Sequence, residues 1–299
     1  MRIRQALAVG LVGVAPALTG CLTHTHIVPK TRPADQVLNA RLDQLLEQVN
    51  QRFEAVQTMT ATVEIVATTG GGRQGKETQY PSFSGYIFIR QPQDLRVLLR
   101  VPILGSQALD MVSDGKTWKL WIPRRNMAMT GTSEVTEPSA NGLENLRPAV
   151  IFDSVLIRGL APQQIVSLTQ DTRIEQDPKD KKGFIEEPDY DLEVLEQPHE
   201  KAAQTVRVVH VSRGNLLPYQ QDIYGPDGTV ATRALYSNYQ PVTDAKGATV
   251  QFPMKIEIRR PQDEYKLAIT VTKVVLNQKL EDDQFELTIP AGVPVKVMK

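Results

Sequence analysis

From Thr58 onward the chain is organised by a two-residue period, and this constrains its fold more than any other feature. Met59, Ala61, Val63, Ile65 and Ala67 alternate with Thr60, Thr62 and Glu64, as in a strand with one buried face. Further strands are predicted at Phe83–Arg90, Asp94–Val101, Gln107–Ser113, Lys116–Pro123 and Asn126–Thr130, with turn signals such as Gln91-Pro92-Gln93 and Ser113-Asp114-Gly115 between them. Strands joined this closely are antiparallel neighbours, because a parallel crossover takes about a dozen residues or more. The period returns at Tyr190–Leu195, Thr205–Arg213, Tyr219–Tyr224, Val230–Tyr239, Thr249–Arg259 and Tyr265–Leu276. The expected fold is mostly antiparallel β, one large curved sheet of about eleven strands.

Two helices break the pattern. Leu38, Leu42, Leu45, Val49 and Phe53 fall on one helical face ahead of the strands. Leu146, Val150, Ile151, Leu156 and Ile157 make an apolar helix between Asn145 as N-cap and Gly159 with Pro162 as stop, Pro148 lying in its first turn. Residues 171–189 are charged and carry prolines, and read as an exposed loop.

Several strands are apolar on both faces. Phe83, Ile87 and Ile89 oppose Tyr86 and Phe88, and Trp118, Leu120 and Ile122 oppose Trp121. A sheet wet on one side alternates more cleanly. Either both faces are covered over a packed core, or the sheet curls around an apolar cavity with the second helix as plug or lid. The turn Pro102-Ile103-Leu104-Gly105-Ser106 is also unusual, since turns are normally polar. Its two aliphatics either tuck under the barrel end or protrude toward lipid or a partner's apolar patch.

The first residues read as a leader. Arg2 and Arg4 precede an apolar stretch from Ala6 to Leu18 that is too short to span a bilayer, which needs ~20 residues. Leu18-Thr19-Gly20-Cys21 resembles the lipobox cut by bacterial lipoprotein signal peptidase, with Cys21 as the lipid anchor. Cys21 is the only cysteine, so an internal disulfide is impossible. The expected division is residues 1–20 as signal peptide, 21–33 as lipidated tether and 34–299 as the folded domain. Beyond the leader, 32 basic residues face 34 acidic ones, which gives no basic excess for nucleic acid.

Leu95-Arg96, Pro102 to Ser106, Ala108-Leu109, Asp114-Gly115, Leu156 to Pro162 and Leu276 to Leu280 with Phe285-Glu286-Leu287 and Pro290 together resemble the LolA/LolB group of lipoprotein-localisation factors, more closely the outer-membrane receptor type. The resemblance implies an open barrel whose concave apolar face, lidded by helix, holds the acyl chains of another lipoprotein. It implies that Ile103 and Leu104 form a membrane-contact loop. It implies as partners a membrane reached through Cys21, acylated lipoproteins or lipids and a periplasmic carrier, with the chain a monomer. The charged segment 171–189 and the long C-terminal set of strands depart from the receptor pattern. Leu22, not aspartate, follows the anchor, which by resemblance to the enterobacterial sorting rule favours the outer membrane, facing the periplasm.

The candidate acyl-chain cavity is Met59, Val63, Ile65, Leu95, Val97, Leu99, Leu109, Met111, Trp118 and Leu120, with Leu146, Val150, Leu156 and Ile157 on the lid helix. No catalytic constellation is expected, nor a cofactor or metal. His24 and His26 sit in the tether, and neither His199 nor His210 accompanies a nucleophile motif. Asp110 and Asp114 read as strand-edge and turn residues, and Gly70-Gly71-Gly72-Arg73 lacks the rest of a phosphate loop. The expected role is therefore a non-enzymatic binding protein that accepts acyl chains and helps insert lipoproteins in the outer membrane. The alternative is a non-transporting interaction or sensor lipoprotein on the same scaffold.

Overall fold

A computed structural model of the chain describes residues 26–73, 75–133, 145–199 and 201–298. The leader, the lipobox Leu18 to Cys21 and His24 lie outside the described residues. The strands are β1 (Thr31–Pro33), β2 (Thr58–Gly71), β3 (Lys76–Gln79), β4 (Phe83–Arg90), β5 (Asp94–Arg100), β6 (Gln107–Ser113), β7 (Thr117–Ile122), β8 (Met127–Thr132), β9 (Ile165–Gln176), β10 (Phe184–His199), β11 (Ala202–Ser212), β12 (Pro218–Tyr224), β13 (Val230–Thr243), β14 (Thr249–Arg260), β15 (Tyr265–Leu276) and β16 (Val295–Val297). Two α-helices, α1 (Leu42–Glu54) and α2 (Pro148–Val155), complete the fold.

All sixteen strands form one sheet in the order β1-β10-β11-β12-β13-β14-β15-β2-β4-β5-β6-β7-β8-β16, with β3 added to β2 and β9 to β10. The pairing is antiparallel except where β1 meets β10 and β16 meets β8. Among the described residues no pairing joins the two ends, so the barrel is open, as the resemblance implies. The register explains the curl. Ala61, Ile87, Val97, Met111, Leu120 and Met129 stand directly opposite one another across β2, β4, β5, β6, β7 and β8. All six are buried on the concave face, where cross-strand neighbours pack side by side.

Both helices cover that same face. Leu45 and Val49 of α1 pack on Tyr190, Leu192, Val209 and Val211 of β10 and β11. Ile151, Phe152 and Val155 of α2 belong to the larger core over the other strands. The apolar convex side of β4–β7 is covered by the C-terminal tail rather than by a helix. Arg96 donates to Gln284 O at 3.1 Å, Lys119 to Leu287 O at 3.4 Å and Arg90 to Leu280 O at 3.3 Å. The Arg90 guanidinium also lies 4.6 Å from the centre of the Phe285 ring.

Some expectations need correction. The charged segment 171–189 is not a loop: it is the end of β9 and the start of β10, joined by a turn at 177–183. That turn grips the segment expected to be tether. Thr31 to Pro33 pairs with Phe184 to Glu186, and Arg32 holds Asp177 with contacts of 2.5 and 3.0 Å. Strands β1, β3, β9 and β16 were not predicted, and α1 starts at Leu42, leaving Leu38 outside it with its N–H on Arg213 O at 2.7 Å. Asp110 is buried in mid-sheet, paired to Arg96 at 2.8 Å, so it is not a strand-edge residue. Asp114 is the turn residue expected, accepting from Lys116 N and Thr117 N.

The convex face of β10–β13 carries a polar cluster. His210 Nδ1 meets Asp191 Oδ1 at 2.6 Å, and Asp222 faces Nε2 at 3.7 Å while receiving Arg233 at 2.7 Å. Burial pulls the His210 imidazolium down, but the hydrogen bond with Asp191 and the charge of Asp222 outweigh it and push the pKa from 6.5 up to about 9. A raised pKa stabilises the fold fully below the unfolded value and loses that contribution as pH rises through the folded one. The urea midpoint should therefore fall between pH 6.5 and about 9, and the fall should be smaller in His210→Gln. Identical pH profiles for the two proteins would remove His210 from the balance.

Candidate functional site

An apolar cavity of about 200 Å³ lies between the concave face and α2. Its floor is Ile65 and Ala67 of β2, Phe83 of β4, Val97 and Leu99 of β5 and Ala108, Leu109 and Met111 of β6, and its roof is Leu146 and Ile151. The floor residues alternate along their strands with outward side chains such as Arg96, except in β6, where the register shifts beside Leu99 and both Ala108 and Leu109 reach the space. Ile122, Arg124 and Arg125 enter from the β7–β8 turn, and Tyr80 and Leu267 close the other flank.

The sequence-predicted residues divide in two. Ile65, Val97, Leu99, Leu109 and Met111 line this cavity. Met59, Val63, Leu95, Trp118 and Leu120 are buried in the surrounding core, and Leu95 and Trp118 also border a second, more polar space of about 380 Å³ beside Arg147, Arg158 and Arg260. Alternation places a residue on a face but not along the strand, which is why the two sets were not separable. Phe83, Ile122 and Leu267 carry no local signal beyond that same alternation, and Ala108 is out of step with Leu109 and Met111.

The lid helix is shorter than predicted. It spans Pro148–Val155, with Arg147 rather than Asn145 at its N-cap and Leu156 at its C-cap. Leu146, Leu156 and Ile157 therefore lie outside the helix, while Val150 lies within it. Leu146 and Leu156 are buried, and Val150 and Ile157 pack partly buried against the core.

Polar contacts fix the C-terminal end of α2. Arg207 donates to Arg158 O at 2.8 Å and Gly159 O at 2.9 Å, Gln221 to Asp153 O at 2.9 Å, and Leu160 N to Asn50 Oδ1 at 2.9 Å. Asp153 pairs with Arg158 at 2.5 Å. Burial pushes the Asp153 carboxyl up and the Arg207 guanidinium down. These groups satisfy backbone carbonyls that would otherwise face an apolar wall.

The β5–β6 turn projects at the end of the strands where Leu99, Ala108 and Leu109 meet the cavity. Ile103 is fully exposed and Leu104 is 68% exposed, so both protrude and neither tucks under the barrel. Hydrogen bonds hold the turn in shape: Val101 N to Ser106 O at 2.8 Å, Gly105 N to Val101 O at 3.1 Å and Leu104 N to Pro102 O at 2.7 Å. Ile103 sits at φ 67, in the left-handed region that β-branched residues rarely adopt. Among the described residues no helix is long and apolar enough to cross a membrane, and no group of three or more His, Cys, Asp or Glu is placed to hold a metal ion.

No protein-family model and no curated protein matches the chain. Among solved structures it is similar to a LolA superfamily protein from Nitrosomonas europaea, with 14% identity over 83% of this chain and 99% of that one and a TM-score of 0.48. It is similar to a DUF1329 family protein from Desulfovibrio piger, with 14% identity over 81% of this chain and 94% of that one and a TM-score of 0.48. An outer membrane lipoprotein-sorting protein domain from Vibrio parahaemolyticus shares 11% identity over 81% of this chain and 94% of that one, with a TM-score of 0.45.

Proposed function

We propose that this chain is an envelope lipoprotein, anchored through Cys21, that takes an acyl chain of another lipoprotein or lipid under α2 and passes it to the outer membrane at the Ile103-Leu104 turn. The observation that carries this reading is the juxtaposition of an apolar cavity with a protruding apolar turn at the same end of the strands. Transfer of this kind forms no covalent bond. An apolar cavity offers ~0.8 kcal/mol per buried CH₂, the same scale as a bilayer, so handover is close to isoenergetic. The anchor rests on the lipobox resemblance, and the choice of membrane on Leu22.

The strain at Ile103 supports a role for the turn outside folding. A left-handed conformation costs an L-residue roughly 1–2 kcal/mol, and an exposed isoleucine recovers nothing from the core. Such outliers persist where function holds them. One observation favours the second reading, a non-transporting sensor or interaction lipoprotein. The cavity of about 200 Å³ is smaller than the ~300–1,000 Å³ usual for ligand pockets, so a long chain enters only if α2 moves.

Among the described residues every helix and strand begins at or after Thr31, so a chain lacking residues 1–21 keeps all of them. With that protein, a triacylated lipopeptide should displace an environment-sensitive fluorescent fatty acid, and the unacylated peptide should not. Ala108→Phe, which fills the cavity floor, should weaken the probe by roughly tenfold or more. Failure of the probe to bind at all would favour the sensor reading.

Leu104→Glu should leave probe binding intact and slow delivery to vesicles by roughly tenfold. Equal loss of binding and delivery would count against the turn as the point of release. Ile103→Gly should slow delivery too, with folding stability within ~1 kcal/mol of the parent because relieved strain offsets glycine's entropy.

A further inference from the structure

We propose that the apolar turn is one half of a bilayer-docking surface whose other half, Arg100, Arg124 and Arg125, selects anionic phospholipid headgroups. The proposal rests on the reading of Ile103 and Leu104 as a bilayer contact and adds to it which bilayer is chosen. Arg100 is the last residue of β5, directly before the turn, and is exposed. Arg124 and Arg125 are consecutive in the short 3₁₀ turn Pro123–Arg125 that joins β7 to β8 at the same end of the sheet. Asn126 at φ 44 closes that turn and keeps it tight. Both arginines border the cavity alongside Leu99, Ala108 and Leu109, the residues at the base of the apolar turn.

Three cations therefore share one end of the sheet with a protruding Ile-Leu pair, two of them bordering the cavity. Among the described residues none of the three has an ion-pair partner, whereas Arg32, Arg90, Arg96, Arg158, Arg173, Arg233, Arg259 and Arg260 all do. An interfacial membrane contact needs these two components together: apolar side chains that enter the headgroup boundary and cations that meet phosphate. Each arginine near an anionic surface strengthens binding about fivefold, and the effect fades within a Debye length. The long arginine stems let the guanidinium groups reach phosphates while the cavity mouth stays against the acyl layer.

The test is co-sedimentation of the chain lacking residues 1–21 with phosphatidylglycerol or phosphatidylcholine vesicles. The parent should bind phosphatidylglycerol roughly tenfold more tightly or better, and added salt should reduce that preference. Arg100→Gln with Arg124→Gln and Arg125→Gln should lower phosphatidylglycerol binding to the phosphatidylcholine level. A control of equal charge, Lys181→Gln with Lys182→Gln and Lys246→Gln, alters exposed lysines in the β9–β10 and β13–β14 turns and should leave it unchanged. Leu104→Glu should weaken binding to both vesicle types. Equal loss in the arginine and lysine variants, or equal parent binding to the two lipids, overturns the arginine proposal while a Leu104→Glu effect keeps the bilayer contact. Loss in the arginine variant with none in Leu104→Glu overturns the bilayer-contact reading and the docking surface with it. Displacement by millimolar inorganic phosphate would show a site for a soluble anion and overturn the proposal as well.

Discussion

The concave row Ala61, Ile87, Val97, Met111, Leu120 and Met129 has to be kept from water, and the arrangement of the rest follows from how that is done. Burying each large side chain of such a row is worth ~1.5–3 kcal/mol, so an open sheet with this floor stands only under a roof. The roof is α2, short and apolar, with Ile151, Phe152 and Val155 turned inward. A single short helix cannot fill the whole width of the curl, and the part of the floor it leaves uncontacted is the cavity. Its position is set by polar residues. Arg207 and Gln221, inward-facing on β11 and β12, bind the carbonyls of Asp153, Arg158 and Gly159.

Most of the sheet was legible because a half-buried strand leaves its period in the chain. The parts that were not legible lack a period for definite reasons. Strand β9 forms an edge of the sheet, where residues such as Arg173, Glu175 and Gln176 discourage pairing with another chain and read as loop. Strand β1 is three residues long, and its place depends on Arg32 meeting Asp177 across the whole sequence. The apolar convex side of β4 and β7 was visible, but the tail that covers it works through isolated residues, Leu280, Phe285 and Leu287, that follow no helical or strand spacing.

The same limit applies to the site. Alternation named ten inward residues, and five of them line the cavity while five pack the core around it. The difference depends on which stretch of floor α2 touches, and that is decided by Arg207, Gln221 and Asn50, residues with no apolar signal. Arg124 and Arg125 were equally silent, because a basic pair in a turn is an ordinary solvated feature until the fold sets it beside another turn. The Pro102–Ser106 turn was the exception. Two aliphatics between proline and glycine contradict the usual composition of an exposed turn, and the backbone places them in solvent.

Size then bears on how the cavity could be used. A space of about 200 Å³ is walled by the packed core around it, and close-packed interiors do not stretch continuously. Any larger guest must displace a structural element, and α2 is the helix that roofs the cavity. Hydrogen bonds hold the end from Asp153 to Leu160, Arg147 at the other end lies over the Trp118 ring, and Leu146 and Ile151 meet the cavity through apolar contact. Separating apolar surfaces is cheap when an acyl chain replaces the contact, because the area stays out of water. Breaking the Arg207 and Gln221 bonds would instead leave buried carbonyls and a buried cation unpaired. The C-terminal end of α2 is therefore the costlier end to move, and the apolar contact of Leu146 and Ile151 with the floor is the cheaper one to exchange.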